Sequence, residues 1–123
     1  MDNATVHLKQ FGAGIQKSIV VSFSLIANMN IIKLRFEAPD LILETIFTDT
    51  IDVEEMEQLL EKEKKKAIFL CYLKINEKEY RGKRKLLWRG DNLALSIGGI
   101  RLETGPEDAV KLLNAIRLIR IKH

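Results

Sequence analysis

The chain has 123 residues, of which 46% are hydrophobic and 30% are charged, with a net charge of +3. This length suits one domain over residues 1–123, and the composition excludes a disordered chain. A single cysteine, Cys71, excludes an internal disulfide and a thiolate metal site, and it favours a reducing compartment. The longest apolar stretch, residues 19–32, is interrupted by polar residues, and the start lacks a signal-peptide pattern. We therefore expect a cytoplasmic protein with no transmembrane segment.

Positive charge is concentrated in the second part of the chain. Residues 1–66 contain 8 Lys+Arg and 11 Asp+Glu, whereas residues 67–123 contain 12 Lys+Arg and 6 Asp+Glu. A negatively charged partner is therefore expected to meet the second part, because a concentrated positive field attracts anions. An ordinary solvated surface is the alternative explanation of the same asymmetry.

Four strands are predicted in the first fifty residues. Apolar and polar residues alternate over residues 19–25 and 32–36, which is the period of a strand with one buried face. The glycines at positions 12 and 14 indicate a turn after a first strand at residues 5–10. Pro39 ends the third strand, and residues 41–48 form the fourth.

A first helix is predicted at about residues 53–66. Asp52 is a suitable N-cap with Glu55 three residues later, and apolar residues recur at helical spacing from Val53 to Leu60. Acidic residues lie near the predicted start and the lysines at positions 62 and 64–66 near its end, which suits the helix dipole. The lysine run thus has a local explanation that requires no ligand.

Four more strands and a second helix follow. Strands at residues 68–75, 80–89, 93–97 and 100–103, separated by short turns, predict an antiparallel meander. Thr104 and Glu107 have capping-box spacing, and one apolar stripe runs from Ala109 to Ile119, which predicts a helix at about residues 106–120. This order predicts an α+β fold with a curved, mostly antiparallel sheet or a partly open barrel, and helices that pack on it or plug its end.

The strand at residues 80–89 is the candidate binding site for an anionic partner. Period-two geometry places four of its cations on one face and leaves one cation and the tryptophan on the other. Such a face suits phosphate groups, and an exposed aromatic ring would stack on bases. The alternative is that the cations protect a sheet edge from aggregation while the tryptophan belongs to the core. The candidate residues are Arg81, Lys83, Arg84, Lys85, Trp88 and Arg89.

Catalytic and metal-binding patterns are not found in the sequence. The two histidines, His7 and His123, have no obvious partner, and the acidic residues cluster on the first predicted helix. Cys71 lies in an apolar run, where a cysteine is usually a small buried hydrophobe. The sequence therefore predicts no enzyme, no metal site and no cofactor.

The segment from Leu93 to Arg117 carries a resemblance to a known family. Its strand, glycine turn, strand and capped helix resemble the closing portion of pleckstrin-homology-like domains, in which the C-terminal helix plugs a curved antiparallel sheet. The resemblance covers about a fifth of the chain. It implies a binding module for proteins or phosphorylated headgroups and not an enzyme.

A shorter segment, Ser96-Ile97-Gly98-Gly99, is similar to part of the signature of PilZ domains. Arg81 and Arg84 are a loose counterpart of the arginine motif of that family, which binds a cyclic dinucleotide. Ala94, however, stands where the signature has an acidic or amide residue, and a helix follows where PilZ domains continue with strands.

Two functions follow from these observations. The first is a non-catalytic interaction domain that docks a protein partner or pairs with itself, using an exposed strand edge. The second is a nucleic-acid-binding protein that uses the basic strand, with three further cations near the C-terminus. Those further candidates are Arg117, Arg120 and Lys122.

Overall fold

The computed structural model describes residues 4–12, 14–29 and 31–122, with side chains described as far as residue 119. Within these residues the fold consists of eight strands and two helices. In chain order they are β1 (Ala4–Gly12), β2 (Ile15–Asn28), β3 (Ile31–Ala38), β4 (Leu41–Phe47), α1 (Thr50–Leu60), β5 (Lys66–Ile75), β6 (Lys78–Arg89), β7 (Asn92–Ile97), β8 (Ile100–Thr104) and α2 (Pro106–Lys122).

The strands form a closed antiparallel barrel in which each strand pairs with the next and β8 returns to β1. The predicted α+β class and antiparallel pairing are confirmed. The sheet is not open, however, because four residues of β1 pair with β8, from Leu8 opposite Thr104 to Phe11 opposite Arg101. This pairing joins residues that are far apart in the sequence. The local alternation of apolar and polar residues therefore does not predict it.

Both helices lie at the same end of the barrel. The strands alternate in direction, so the end of β4, the start of β5 and the end of β8 all meet at that end. The two helices contact each other there and bury apolar side chains over the barrel opening. Those side chains include Val53, Met56 and Leu59 of α1 and Ala109, Leu112 and Ile116 of α2.

The barrel interior is filled by side chains. Phe47 and Phe69 meet edge to face with ring centroids 5.8 Å apart, and Leu34, Leu73 and Ile97 are fully buried nearby in the core. An apolar cavity of about 40 Å³ remains, which is small beside the several hundred Å³ of a small-molecule site. Eight strands give an interior just wide enough for such packing, so the candidate site lies on the outer surface.

The helix α1 begins and ends earlier than the sequence predicts. Asp49 is the N-cap, and its carboxylate accepts a hydrogen bond of 2.9 Å from the main-chain N of Asp52. Asp52, the predicted cap, lies inside the first turn and accepts from the main-chain N of Thr48 over 2.9 Å. Lys62 adopts a left-handed conformation with φ of 65°, which ends the helix before the lysine run. The helix α2 lies close to its predicted position.

Side chains of α2 complete the seam between β1 and β8. The first residues of β1 extend past the end of β8, and there α2 lies beside β1 instead of a strand. The carboxylate of Asp108 accepts from the main-chain N of His7 over 2.8 Å, and Lys111 Nζ donates to the main-chain O of Thr5 over 3.0 Å. No helix in the described part of the chain is both long and apolar enough to cross a membrane.

Candidate functional site

The strand β6 is paired on both sides along only part of its length. It pairs with β5 from Lys78 to Leu87, but with β7 only from Leu86 to Arg89. Among the described residues, the stretch from Glu79 to Lys85 therefore has a neighbouring strand on one side only. We call this stretch the open edge of β6.

Alternate peptide groups of β6 face away from β5 along the open edge. The main-chain N of Trp88 donates to Lys65 O over 3.0 Å, so Trp88 points its peptide groups at β5. The N–H and C=O of one residue in an antiparallel ladder point the same way, and the direction alternates from residue to residue. The peptide groups of Arg81, Lys83 and Lys85 therefore point out at the open edge.

Three exposed cations, Arg81, Lys83 and Lys85, follow the same stretch on the outer face of the barrel. Among the described residues, none of the three has a carboxylate oxygen within 4.0 Å. Alternate residues of a strand lie roughly 6.6 Å apart, so the three charges form an evenly spaced row. We call this row the cationic row.

The strand β5 supplies apolar neighbours to the cationic row. Tyr72, Leu70 and Ile68 lie opposite its three members in the β5–β6 register, and Ile68 is 55% exposed. The guanidinium of Arg81 lies over the Tyr72 ring, 5.3 Å from its centroid. The sequence analysis did not find these neighbours, because the register between the strands was unknown.

Tyr72 is also held by Glu79 at the far end of the open edge. Its hydroxyl donates to the Glu79 carboxylate, and this hydrogen bond raises the pKa of Tyr72 above its ordinary value. The phenol is therefore neutral at physiological pH. With one carboxylate on its hydroxyl and one guanidinium over its ring, Tyr72 is a fixed part of the face.

Arg84 reaches the open edge from the opposite face of β6. It lies opposite the buried Phe69 in the register. Its Nη1 donates to the main-chain O of Lys83 over 3.0 Å, which occupies one of the acceptors that face outward. Gly82 leaves the room for this arrangement, because a Cβ at that position would lie 2.7 Å from the same nitrogen.

The remaining two candidate residues of the strand lie outside the cationic row. Trp88 points toward the core, and its indole Nε1 donates to the main-chain O of Leu59 over 2.6 Å. Arg89 is on the outer face, but its Nε lies 3.8 Å from the carboxylate of Glu103. The structure thus brings Arg81, Lys83 and Lys85 together and separates Trp88 and Arg89 from them.

The C-terminal cation that the structure describes is engaged within the protein. Arg117 pairs with Glu57 of α1 over 3.5 Å and with Glu61, the C-cap of that helix, over 3.0 Å. These pairs tie α2 to α1. The side chains of Arg120 and Lys122 lie outside the described residues.

A shallow basic groove continues the cationic row toward α1. It has a volume of about 390 Å³ and is lined by residues of α1, β5, β6 and the segment after α1. Lys64 in the groove pairs with Glu55 over 3.6 Å. Lys66 and Lys85 add two cations with no carboxylate in reach among the described residues.

Cys71 lies opposite Gly82 on the inner side of the same pair of strands. It is fully buried, and burial raises the pKa of its thiol to about 11. A protonated, enclosed thiol is a packing group and a poor nucleophile. Within the described residues, no group of three His, Cys, Asp or Glu side chains could hold a metal ion.

Comparison of the chain with protein-family models, with curated proteins and with solved structures gave no match. The fold and the site define the class on their own terms: an eight-stranded antiparallel barrel, plugged at one end by two helices, with an open strand edge that carries a row of cations.

Proposed function

We propose that the protein is a non-catalytic binding module whose partner, another protein, adds an extended segment to the open edge of β6. The observation that carries the proposal is the one-sided pairing of residues 79–85. An unpaired strand edge presents donors and acceptors that a second chain satisfies by strand addition. The resemblance of residues 93–117 to the closing portion of pleckstrin-homology-like domains adds support, because those domains bind proteins.

The charge on the edge favours a different protein over a second copy of this chain. Two copies that paired through this edge would bring the cationic row of one against that of the other. Like charges directly opposite each other destabilise a strand pair. The same charges do not oppose a partner that lacks them.

Selection of peptides tests this proposal. A displayed library of random ten-residue peptides is selected on the immobilised protein, and the enriched peptides are titrated against it by fluorescence anisotropy. Lys83→Pro removes an N–H that faces the open edge and leaves the β5 ladder intact, whereas Lys83→Gln removes only the charge. We expect enriched peptides to bind the Lys83→Gln protein at least about tenfold more tightly than the Lys83→Pro protein, because a lost ladder bond weakens strand addition.

Circular dichroism and thermal unfolding establish first that both variants fold. The proposal is wrong if no peptide is enriched, or if the proline and glutamine variants bind the enriched peptides equally well.

Nucleic-acid binding is the second candidate, and the cationic row is the observation that favours it. Phosphate contacts release counterions, so such binding weakens steeply with salt. Base stacking has less support, because the Trp88 indole is hydrogen-bonded to Leu59 O and Arg81 covers the Tyr72 ring. Neither ring is therefore free to stack on a base. Titration with single- and double-stranded oligonucleotides at low and physiological salt tests it. Affinity that survives the combined change of Arg81, Lys83 and Lys85 to glutamate excludes this face as the site.

A further inference from the structure

We infer that the segment received by the open edge is acidic, with carboxylates at alternate positions. This inference rests on the proposed function and names the chemistry of its partner. The cationic row supplies three positive charges at a spacing of roughly 6.6 Å, and no carboxylate among the described residues lies within 4.0 Å of them. The described part of the chain thus supplies no carboxylate in ion-pair contact with these charges.

Strand addition places the side chains of the partner where they meet this row. Residues directly opposite each other in an antiparallel pair have Cβ atoms about 4.5–5.5 Å apart, and alternate residues share one face. A segment with glutamate or aspartate at every second position therefore sets one carboxylate against each of Arg81, Lys83 and Lys85. The neighbours on the other side, Ile68, Leu70 and Tyr72 of β5, are not acidic, and the nearby carboxylate of Glu79 accepts from the Tyr72 hydroxyl.

Arg84 places a further cation beside the open edge of β6. Its Nη1 occupies the carbonyl oxygen of Lys83, which an incoming strand needs as an acceptor. A carbonyl oxygen has two lone pairs and accepts a second donor, so the guanidinium stays at the interface as a fourth cation when the new ladder forms. An acidic segment offers this guanidinium a charge-assisted hydrogen bond, and a neutral segment does not.

Three labelled decapeptides test the inference by anisotropy at low and physiological salt. One alternates glutamate with threonine, the second replaces each glutamate with glutamine, and the third replaces each glutamate with N-methylglutamate. The third keeps the charge and loses the N–H groups that face β6, because residues directly opposite Arg81, Lys83 and Lys85 exchange both main-chain hydrogen bonds with them. We expect the glutamate–threonine peptide to bind at least about tenfold more tightly than either of the others. Lys83→Gln and Lys85→Gln should each reduce this preference, and Lys17→Gln, on the exposed part of β2, should not.

Any other result contradicts the inference. The individual results differ in whether they also contradict the proposed strand addition. If the glutamine peptide binds as tightly and Lys83→Pro weakens both peptides, strand addition stands and the acidic preference is wrong. If the N-methylglutamate peptide binds as tightly, the row attracts polyanions without strand addition. If a fifteen-nucleotide oligothymidylate binds and no peptide does, the face belongs to nucleic acid.

Discussion

The indole of Trp88 on β6 donates a hydrogen bond of 2.6 Å to the main-chain oxygen of Leu59 in the last turn of α1. The ring is also covered by Lys62, whose Nζ lies 4.7 Å from its centroid. One side chain of the barrel thereby fixes the end of the helix that plugs it.

Replacing Trp88 with phenylalanine tests that connection. The ring volume is largely kept and the N–H donor is lost, so we expect the free energy of unfolding to fall by about 1 kcal/mol. The loss is moderate because Leu59 O still accepts from the main-chain N of Lys62 over 3.0 Å. Urea unfolding followed by circular dichroism measures the change, and an unchanged midpoint and slope would contradict it.

Two separate features require glycine at Gly98 in the β7–β8 turn, whereas only one requires it at Gly90 in the β6–β7 turn. Their φ values are 61° and 62°, so alanine is strained at both. A Cβ at Gly98 would also lie 2.5 Å from the Tyr80 ring, whereas nothing lies within 4 Å of one at Gly90. We expect Gly98→Ala to destabilise the protein by about 1–3 kcal/mol more than Gly90→Ala, from overpacking.

Chemical denaturation of the two glycine variants side by side gives this difference directly. Equal losses would mean that the Tyr80 ring moves aside without cost.

Asp108 joins α2 to the edge of β1, and its removal should weaken the seam. Asp108→Ala leaves the N–H of His7 without its acceptor and also removes the 3.3 Å contact with Lys111 Nζ. We expect a loss of about 2–3 kcal/mol, as for a hydrogen bond to a charged group. Glu107→Ala is the control, since Glu107 is an exposed acid in the same helical turn. A loss no larger than that of the control would show that the seam does not depend on this carboxylate.

The thiol of Cys71 gives the protein a defined sensitivity to alkaline pH. Burial raises its pKa from 9.0 to about 11 in the folded protein, so the unfolded chain loses this proton first as the pH rises. The contribution of the thiol to stability is complete below pH 9 and is lost toward pH 11, by at most about 1.4 kcal/mol per pH unit.

Measuring the free energies of unfolding of the native and Cys71→Ala proteins from pH 8 to pH 10.5 isolates this effect. The advantage of the native protein over the variant should shrink as the pH rises. A constant difference would mean that the thiol ionises equally in both states.

All eight strands could be predicted from the sequence, because alternation such as that of Ile32, Leu34 and Phe36 is a local signal. The N-cap of α1 could not be fixed, since Asp49 and Asp52 are both good caps and both are followed by an acid three residues later. The choice depends on which Asp side chain meets the free N–H groups of the first turn. Closure of the barrel depends on the distant β1–β8 register, which no local pattern specifies.

The candidate site was predictable to a similar extent. The alternation that places Arg81, Lys83 and Lys85 on one face was read from β6 alone, and the register agrees with it. The separation of Arg89 was not predictable, because its partner Glu103 comes from β8. Nor was the open edge, which arises because β7 is shorter than β6 and pairs with only the last part of it.

The seam between β1 and β8 also determines the order in which the ring assembles. Every other ladder joins strands that are consecutive in the chain, so each closes a much shorter loop than the seam, even where α1 lies between β4 and β5. The seam must bring together residues such as Leu8 and Thr104 from almost opposite ends of the sequence, and the entropy of that long loop makes it the slowest contact to gain. The barrel should therefore assemble first as an unclosed sheet. In the native state, amide hydrogens of β1 that face β8 and α2 should exchange with solvent sooner than those between β4 and β5.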